Sequence, residues 1–411
     1  MRAAILAAGK GERLWPLTEK NPKHLLPIGG VPLLERTLRG LVKAGIREVV
    51  MVVHFEAEKI QSFLGDGKWL GCSISYVRQK RLGGTADAVK SLHEEFESDS
   101  RFLVIYGDNY YDKKALDKLV KSSSSQDLLI GAALVDNPSS FGTLEVKKGN
   151  VVSIHEKVAG TKAGVVNAGI YVLDNSIFSA IARTHKSQRR EFELTDSLTM
   201  SISQGRKLRA VHFDKKEWVG ITYPWDLLQA NRSALDSDEE IRDGETEVGV
   251  HLKGTVSMMR GSLVKSGSYV EGPVFVGENA VVGPNAYLRP GTSLGRGTKV
   301  GAGCEVKNSI VMDDARIPHL SYVGDSILGS GVSLGAGTIT ANLKFNDSHV
   351  FSKLKGKMVD SGHRKLGAIF GDGAKTGINV SVFPGIKIGA DAWIGPGAVV
   401  RADVPSGARV R

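Results

Sequence analysis

The sequence predicts two architectures in one chain: an α/β domain with a Rossmann-like, mostly parallel sheet, then a parallel β-helix of hexapeptide repeats. Three observations predict it. Short apolar runs alternate with amphipathic stretches over residues 1–230, which is the mark of βαβ units. Aliphatic residues then recur every six positions, a period belonging neither to a helix nor to a simple strand. The 49 glycines crowd into the second half, as a turn-dense solenoid requires.

Taken in order, AAILAA (3–8) is a short buried strand ending at a glycine turn. Residues 33–44 place Leu34, Leu38, Leu41 and Val42 on one helical face. EVVMVV (48–53) and the apolar part of FLVIYGD (102–108) are fully buried strands. The acidic, polar stretch 233–247 reads as a linker, which divides the chain into domains 1–232 and 248–411.

Beyond it, Val264, Val270, Val276, Val282, Leu288, Leu294, Val300 and Val306 fall six apart without a slip. The period returns at Val382, Ile388, Ile394 and Val400. Three such hexapeptides make one triangular coil, and each coil hides its apolar position only by stacking on its neighbours. The interruption at 340–366 reads as a loop expelled from a coil, and long loops on solenoids are often functional.

Bulk properties narrow the function. The net charge is +10, but basic residues are interspersed with acidic ones and no zinc-finger or RRM signature is present, so phosphorylated metabolites fit better than nucleic acid. Two distant cysteines, Cys72 and Cys304, give neither a disulfide framework nor metal-ligand spacing. The apolar run near the start is too short for a signal or spanning segment, so a cytoplasmic protein without membrane attachment is expected.

The first strand leads into Leu6-Ala7-Ala8-Gly9-Lys10-Gly11-Glu12-Arg13, then Pro16-Leu17-Thr18, Asn21-Pro22-Lys23 and Leu26-Pro27. A glycine-rich turn after a strand lets backbone N–H groups approach phosphates. Leu14 stands at the third glycine position of a dinucleotide fingerprint, which excludes that motif, and no Walker A sequence occurs. The pattern closely resembles the opening of the nucleoside-triphosphate:sugar-1-phosphate transferases. Over its full length the chain resembles the bifunctional enzymes, archaeal type, that join uridylyl or thymidylyl transfer to acetyl-CoA-dependent N-acetylation of an amino-sugar phosphate. The resemblance, not the period, implies a left-handed β-helix.

That resemblance assigns roles. Leu6, Ala7, Ala8, Gly9 and Gly11 would line the nucleotide, with Arg13 on the triphosphate and Lys23 on the α-phosphate and sugar phosphate. Gln79 with Gly84 and Thr85 would read the pyrimidine of UTP or dTTP. Gly142, Glu156, Lys157 and Asn167 would contact the sugar phosphate, either N-acetylglucosamine-1-phosphate or glucose-1-phosphate. Asp108 would hold Mg²⁺. Relatives often have a second metal-binding Asp in a W-x-D segment, whereas this chain has Gly220 there, leaving Thr222 or Asp226 as substitutes.

In the β-helix, His319 matches the base-bearing segment, with Arg289, Lys307, Tyr322 and Asn342 on the acetyl acceptor and Ala336 beside acetyl-CoA. The acceptor would be glucosamine-1-phosphate or galactosamine-1-phosphate. Leu343, Ser333, Ser348 and Phe351 depart from the family pattern, although Lys344, Lys353 and Lys355 lie near the last two. Hexapeptide acyltransferases generally build their acyl sites between subunits, so a homotrimer is implied. Two other readings stay open: a monofunctional transferase with a trimerising β-helix, and a non-catalytic nucleotide-sugar-binding regulator.

Overall fold

The structure, a computed structural model, describes residues 1–123, 127–156 and 163–411. The chain divides into two compact units: residues 1–10 with 32–221, and residues 11–31 with 222–411.

The first unit is built on a sheet of nine described strands. Four of them, in the order Ser73–Arg78, Glu48–Val53, Arg2–Ala7 and Phe102–Tyr106, run parallel. The Gly164–Leu173 strand pairs antiparallel to Phe102–Tyr106 and to Leu128–Val135, and Leu208–Phe213, Asn150–Glu156 and Gly142–Lys147 complete the order. The predicted runs at 3–8, 48–53 and 102–108 therefore fall in three neighbouring parallel strands. Ala3, Ile5, Met51, Val52, Val104 and Ile105 are fully buried, as expected for a sheet covered on both faces. The predicted helix spans Leu33–Lys43 and hides Leu34, Leu38 and Leu41. Strand order reverses at Arg2–Ala7, whose carboxyl end lies between those of Glu48–Val53 and Phe102–Tyr106. In open α/β sheets this reversal opens a crevice for ligands.

The second unit is a parallel β-helix. Its strands form three walls, and successive coils pair parallel at an 18-residue offset: Val256 with Val274, Leu263 with Val281, Tyr269 with Tyr287. Every residue of the six-residue series from Val264 to Val306 and from Val382 to Val400 is buried in one continuous core. Burying an aliphatic side chain of this size stabilises by about 1.5–3 kcal/mol. The offset falls to 17 where Glu305 pairs with Tyr322 and Ile310 with Ile327, because steps of five follow Val306 and Val323. The expelled loop carries a hairpin, Phe351–Leu354 against Lys357–Asp360. Fully buried Lys387 pins it: its ammonium donates to Ser352 Oγ (3.2 Å) and to the Lys353 carbonyl, and pairs with Asp403 (2.9 Å).

The predicted linker, residues 233–247, includes helix and strand residues. The Pro224–Ser237 helix runs through its first residues, and Glu245–Thr246 already pairs with Leu263–Val264 as the first coil strand. Residues 11–31 group with the β-helix rather than with the sheet. There Asn21 donates to Asp372 (2.7 Å), Ser406 Oγ donates to the Glu19 carboxylate (2.6 Å), and Lys20 pairs with Asp391 (2.6 Å).

Candidate functional site

In the first unit, Leu6, Ala7, Ala8, Gln79 and Asp108 lie at the carboxyl ends of the parallel strands. Leu6 and Ala7 close the first strand, Ala8 follows it, and all three are buried. Gln79 follows Ser73–Arg78 and donates its backbone N–H to the Val53 carbonyl (2.9 Å). Its Nε2 donates to Asp87 (2.8 Å), which fixes the direction of the buried amide. Gly84 has φ +108°, and a Cβ there would sit 2.5 Å from the Phe192 carbonyl, so the backbone approach needs glycine. Thr85 opens the next helix and accepts the Leu194 N–H through Oγ1 (2.9 Å).

The sugar-contacting residues assigned from sequence are held by others that carry no motif. Gly142 pairs with Glu156, and a Cβ on Gly142 would lie 3.0 Å from Glu156 Oε1. The Glu156 carboxylate accepts from Thr195 Oγ1 (2.8 Å) and Arg189 Nη2 (3.2 Å), and Arg189 also binds Glu193 (2.7 Å). Asn167 Nδ2 donates to Tyr171 Oη (2.7 Å), which donates to Tyr106 Oη (3.1 Å). Burial pushes both tyrosines well above the ordinary phenol range. Thr195, Arg189 and Tyr106 were not assigned from sequence, because only tertiary pairing brings them to the site, and Tyr171, four residues after Asn167 on the same strand, was not assigned either. Lys157 lies outside the described residues.

Asp108 follows the Phe102–Tyr106 strand, at the carboxyl end of the sheet. Its neighbour Asn109 pairs with Gly220 in the antiparallel ladder of Asn109–Tyr111 and Trp218–Gly220. Gly220 thus stands where a second carboxylate could flank Asp108, but Phe141 and Trp218 fill the space around it.

In the second unit, Gly11 adopts φ +69° against the stem of Lys23, and a Cβ on it would lie 3.0 Å from Lys23 Cβ. Thr18 Oγ1 donates to the Gly11 carbonyl (3.0 Å), which closes the turn. The Arg13 guanidinium is exposed and lies 5.9 Å over the Tyr223 ring. Thr222 donates its backbone N–H to Asp226, as does Tyr223 (both 2.7 Å). Asp226 therefore caps the Pro224–Ser237 helix through Oδ2. Burial pushes its carboxyl up to about 7, although both N–H groups and the Arg13 guanidinium pull it down.

The residues assigned from sequence to the acetyl acceptor gather on one wall of the β-helix. The ladders pairing Leu288 with Val306 and Lys307 with Gly324 set Arg289, Lys307 and Tyr322 on successive coils. Arg289 Nη1 donates to Glu305 (2.8 Å), Lys307 Nζ to Asp325 (2.9 Å), and Asn342 Nδ2 to Tyr322 Oη (3.1 Å). His319 ends the adjoining Arg316–His319 strand and is exposed. The next residue, Leu320, turns the corner at φ +51° while 70% exposed. A non-glycine residue in that region costs about 1–3 kcal/mol, and such strain clusters at functional sites. Ala336 is half-buried, and its carbonyl accepts the Asn379 N–H (2.8 Å) from the next coil.

Comparison with known proteins matches both units. The nucleotidyl transferase family model covers residues 2–237, and the GMPPB C-terminal domain model covers 270–354. The chain is 40% identical over 407 residues to the bifunctional protein GlmU of Methanococcus maripaludis, covering 98% of this chain and 95% of that one. It is 39% identical over 412 residues to the bifunctional sugar-1-phosphate nucleotidylyltransferase/acetyltransferase of Sulfurisphaera tokodaii, covering 99% of each. A solved glucose-1-phosphate thymidylyltransferase from Bacillus anthracis shares 30% identity at a TM-score of 0.52, over 58% of this chain and 97% of that one. The signature loop, the nine-stranded sheet and the β-helix are thus matched together across nearly the full chain, which belongs to the family of bifunctional sugar-1-phosphate nucleotidylyltransferases/acetyltransferases.

Proposed function

We propose that the β-helix acetylates glucosamine-1-phosphate or galactosamine-1-phosphate, and that the α/β domain then couples a sugar-1-phosphate to a nucleotide from UTP or dTTP. The observation that carries the transfer reading is the position of Ala7, Gln79 and Asp108 at the carboxyl ends of the parallel strands Arg2–Ala7, Ser73–Arg78 and Phe102–Tyr106. In the transfer step, a phosphate oxygen of the sugar-1-phosphate attacks the α-phosphorus, and the bond to the β-phosphate breaks to release pyrophosphate. Arg13 clamps the triphosphate, and Lys23 meets the charge that builds on the non-bridging oxygens.

Asp108 is the residue that would hold Mg²⁺. One carboxylate together with substrate phosphates is an ordinary Mg²⁺ donor set, so Gly220 is compatible with metal use. When bound, the ion would neutralise phosphate charge. In acetyl transfer, the amine nitrogen attacks the thioester carbonyl of acetyl-CoA, His319 takes the amine proton, and the CoA thiolate leaves. Arg289, Lys307, Tyr322 and Asn342 hold the acceptor, and Ala336 leaves room for the acetyl group.

A homotrimer through the β-helix is supported by its exposed apolar side chains, among them Leu320, Phe345, Ile378 and Val399. No helix among the described residues is long and apolar enough to cross a membrane. With substrates of this kind we place the protein in the cytoplasm.

The test is pyrophosphate release from UTP and from dTTP with N-acetylglucosamine-1-phosphate and glucose-1-phosphate, with and without Mg²⁺. Metal-dependent release is expected. A folded protein that releases none with any pair would overturn the transfer reading and leave a nucleotide-sugar-binding regulator.

A further inference from the structure

The coils of the β-helix turn through left-handed corners, where Asn, Asp and Gly are the least strained residues. At Asn279, Asn285, Asn308, Asp314, Asn379 and Asp391 the corner side chain lays its oxygen over a glycine of the preceding coil, where no side chain could stand. Asp325, at φ +48°, departs from this rule. Below it lies Asn308, whose Nδ2 donates to Asp325 Oδ1 (2.8 Å). Lys307 Nζ donates to both carboxylate oxygens (3.3 and 2.9 Å), and Asn342 Nδ2 donates to Oδ2.

One carboxylate, 4% exposed, therefore gathers groups from two sides: Lys307 and Asn308 from the preceding coil, and Asn342 from the start of the expelled loop. A corner alone needs none of this, since asparagine serves at four of the corners just named. The negative charge is what the Lys307 ammonium requires, and without Lys307 it would stand buried and unpaired.

We propose that Asp325 is a positioning residue for acetyl transfer: it holds Lys307 and Asn342 in the places from which they contact the amino-sugar phosphate. The proposal rests on the reading of the β-helix wall given above. Asp325 does not touch the substrate; it fixes the direction of two side chains that do. Lys307 would otherwise sample many rotamers, and Asn342 would be tied only through Tyr322.

The decisive variant is Asp325→Asn, which keeps the left-handed corner and the shape of the side chain but removes the charge. We expect a lower melting temperature than the parent's but a clearly higher one than that of Asp325→Ala, because the corner is intact while one buried acceptor and the charge are lost. Acetyl-transfer kcat/KM for glucosamine-1-phosphate should fall about 10- to 100-fold, the usual cost of misplaced contacts. Pyrophosphate release should not change. Lys307→Met should melt lower than the parent, and adding Asp325→Asn should restore the melting temperature but not the turnover. A readout independent of activity is competitive labelling with acetic anhydride, read by mass spectrometry: Lys307 should label faster in Asp325→Asn.

Turnover within twofold of the parent and unchanged Lys307 labelling would overturn the proposal. So would Asp325→Asn melting as low as Asp325→Ala, since the role would then be structural only. If the parent acetylates neither glucosamine- nor galactosamine-1-phosphate, the reading of the wall fails. The labelling and melting comparisons then still decide whether Asp325 holds Lys307.

Discussion

Phe141 fills the space that a side chain on Gly220 would need: a Cβ there would lie 2.8 Å from Phe141 Cζ and 2.9 Å from Trp218 Cζ2. The two rings already meet edge to face, with centroids 5.5 Å apart. The absence of a carboxylate at this position is therefore built into the packing. Gly220→Asp should destabilise by about 1–3 kcal/mol, the usual cost of overfilling a packed site. It should not raise Mg²⁺-dependent pyrophosphate release. The paired change Gly220→Asp with Phe141→Ala should recover part of the melting temperature, which thermal denaturation would show.

Arg13 and Lys23 make the second prediction. Replacing either with alanine should lower kcat/KM for the nucleoside triphosphate by about 10²- to 10³-fold, the scale of removing one preplaced donor from a developing anion. Arg13→Lys should recover little, because an ammonium cannot reproduce the planar fork of a guanidinium. Acetyl-CoA turnover should be untouched by all three. Separate assays of pyrophosphate and of free CoA thiol check both arms.

Much of this was legible in the sequence, for physical reasons that also explain what was not. The six-residue series from Val264 to Val306 is visible because each coil repeats one burial requirement, and every member is buried. The steps of five after Val306 and Val323 break that period, so the coils carrying His319 and Tyr322 had to be placed by motif. The strands Arg2–Ala7, Glu48–Val53 and Phe102–Tyr106 show as apolar runs because they are covered on both faces. Thr195, Arg189 and Asp325 carry no local signal: their roles come from pairings 39, 33 and 18 residues away in the chain. Nothing in the composition of residues 11–31 announces that they group with the β-helix. Their bonds to Asp372, Asp391 and Ser406 span more than 350 residues and exist only after folding.

Asp226 gives a pH dependence whose sign can be worked out. Its carboxyl is pushed up to about 7 by burial, from 3.8 in the unfolded chain. Between those values the folded state binds the extra proton, so stability falls as pH rises. The contribution is fully present below about pH 4 and lost by the time pH has passed 7. Asp226→Asn keeps an oxygen to accept the Thr222 and Tyr223 N–H groups but cannot ionise. Melting curves from pH 4 to 8 should fall less steeply for Asp226→Asn than for the parent. Parallel curves would mean that the helix cap and Arg13 hold the carboxylate ionised throughout.

His319 separates a catalytic β-helix from one that serves only for assembly. It is exposed at the end of its strand, beside the strained corner at Leu320, and its carbonyl already accepts Ser321 Oγ (2.8 Å) and the Gly337 N–H (3.2 Å). The backbone is thus fixed by its neighbours while the imidazole is presented outward. Removing the ring should leave the coil intact, since it contributes nothing to the buried core. If His319 takes the amine proton, His319→Ala should lower acetyl transfer about 10²- to 10⁴-fold, the range for loss of a general base. Melting temperature, oligomer mass and pyrophosphate release should all match the parent. The remaining acetyl transfer should rise steeply with pH, because only the unprotonated fraction of the free amine then reacts. A parent that never consumes acetyl-CoA, with His319→Ala indistinguishable from it, would assign the β-helix to assembly alone.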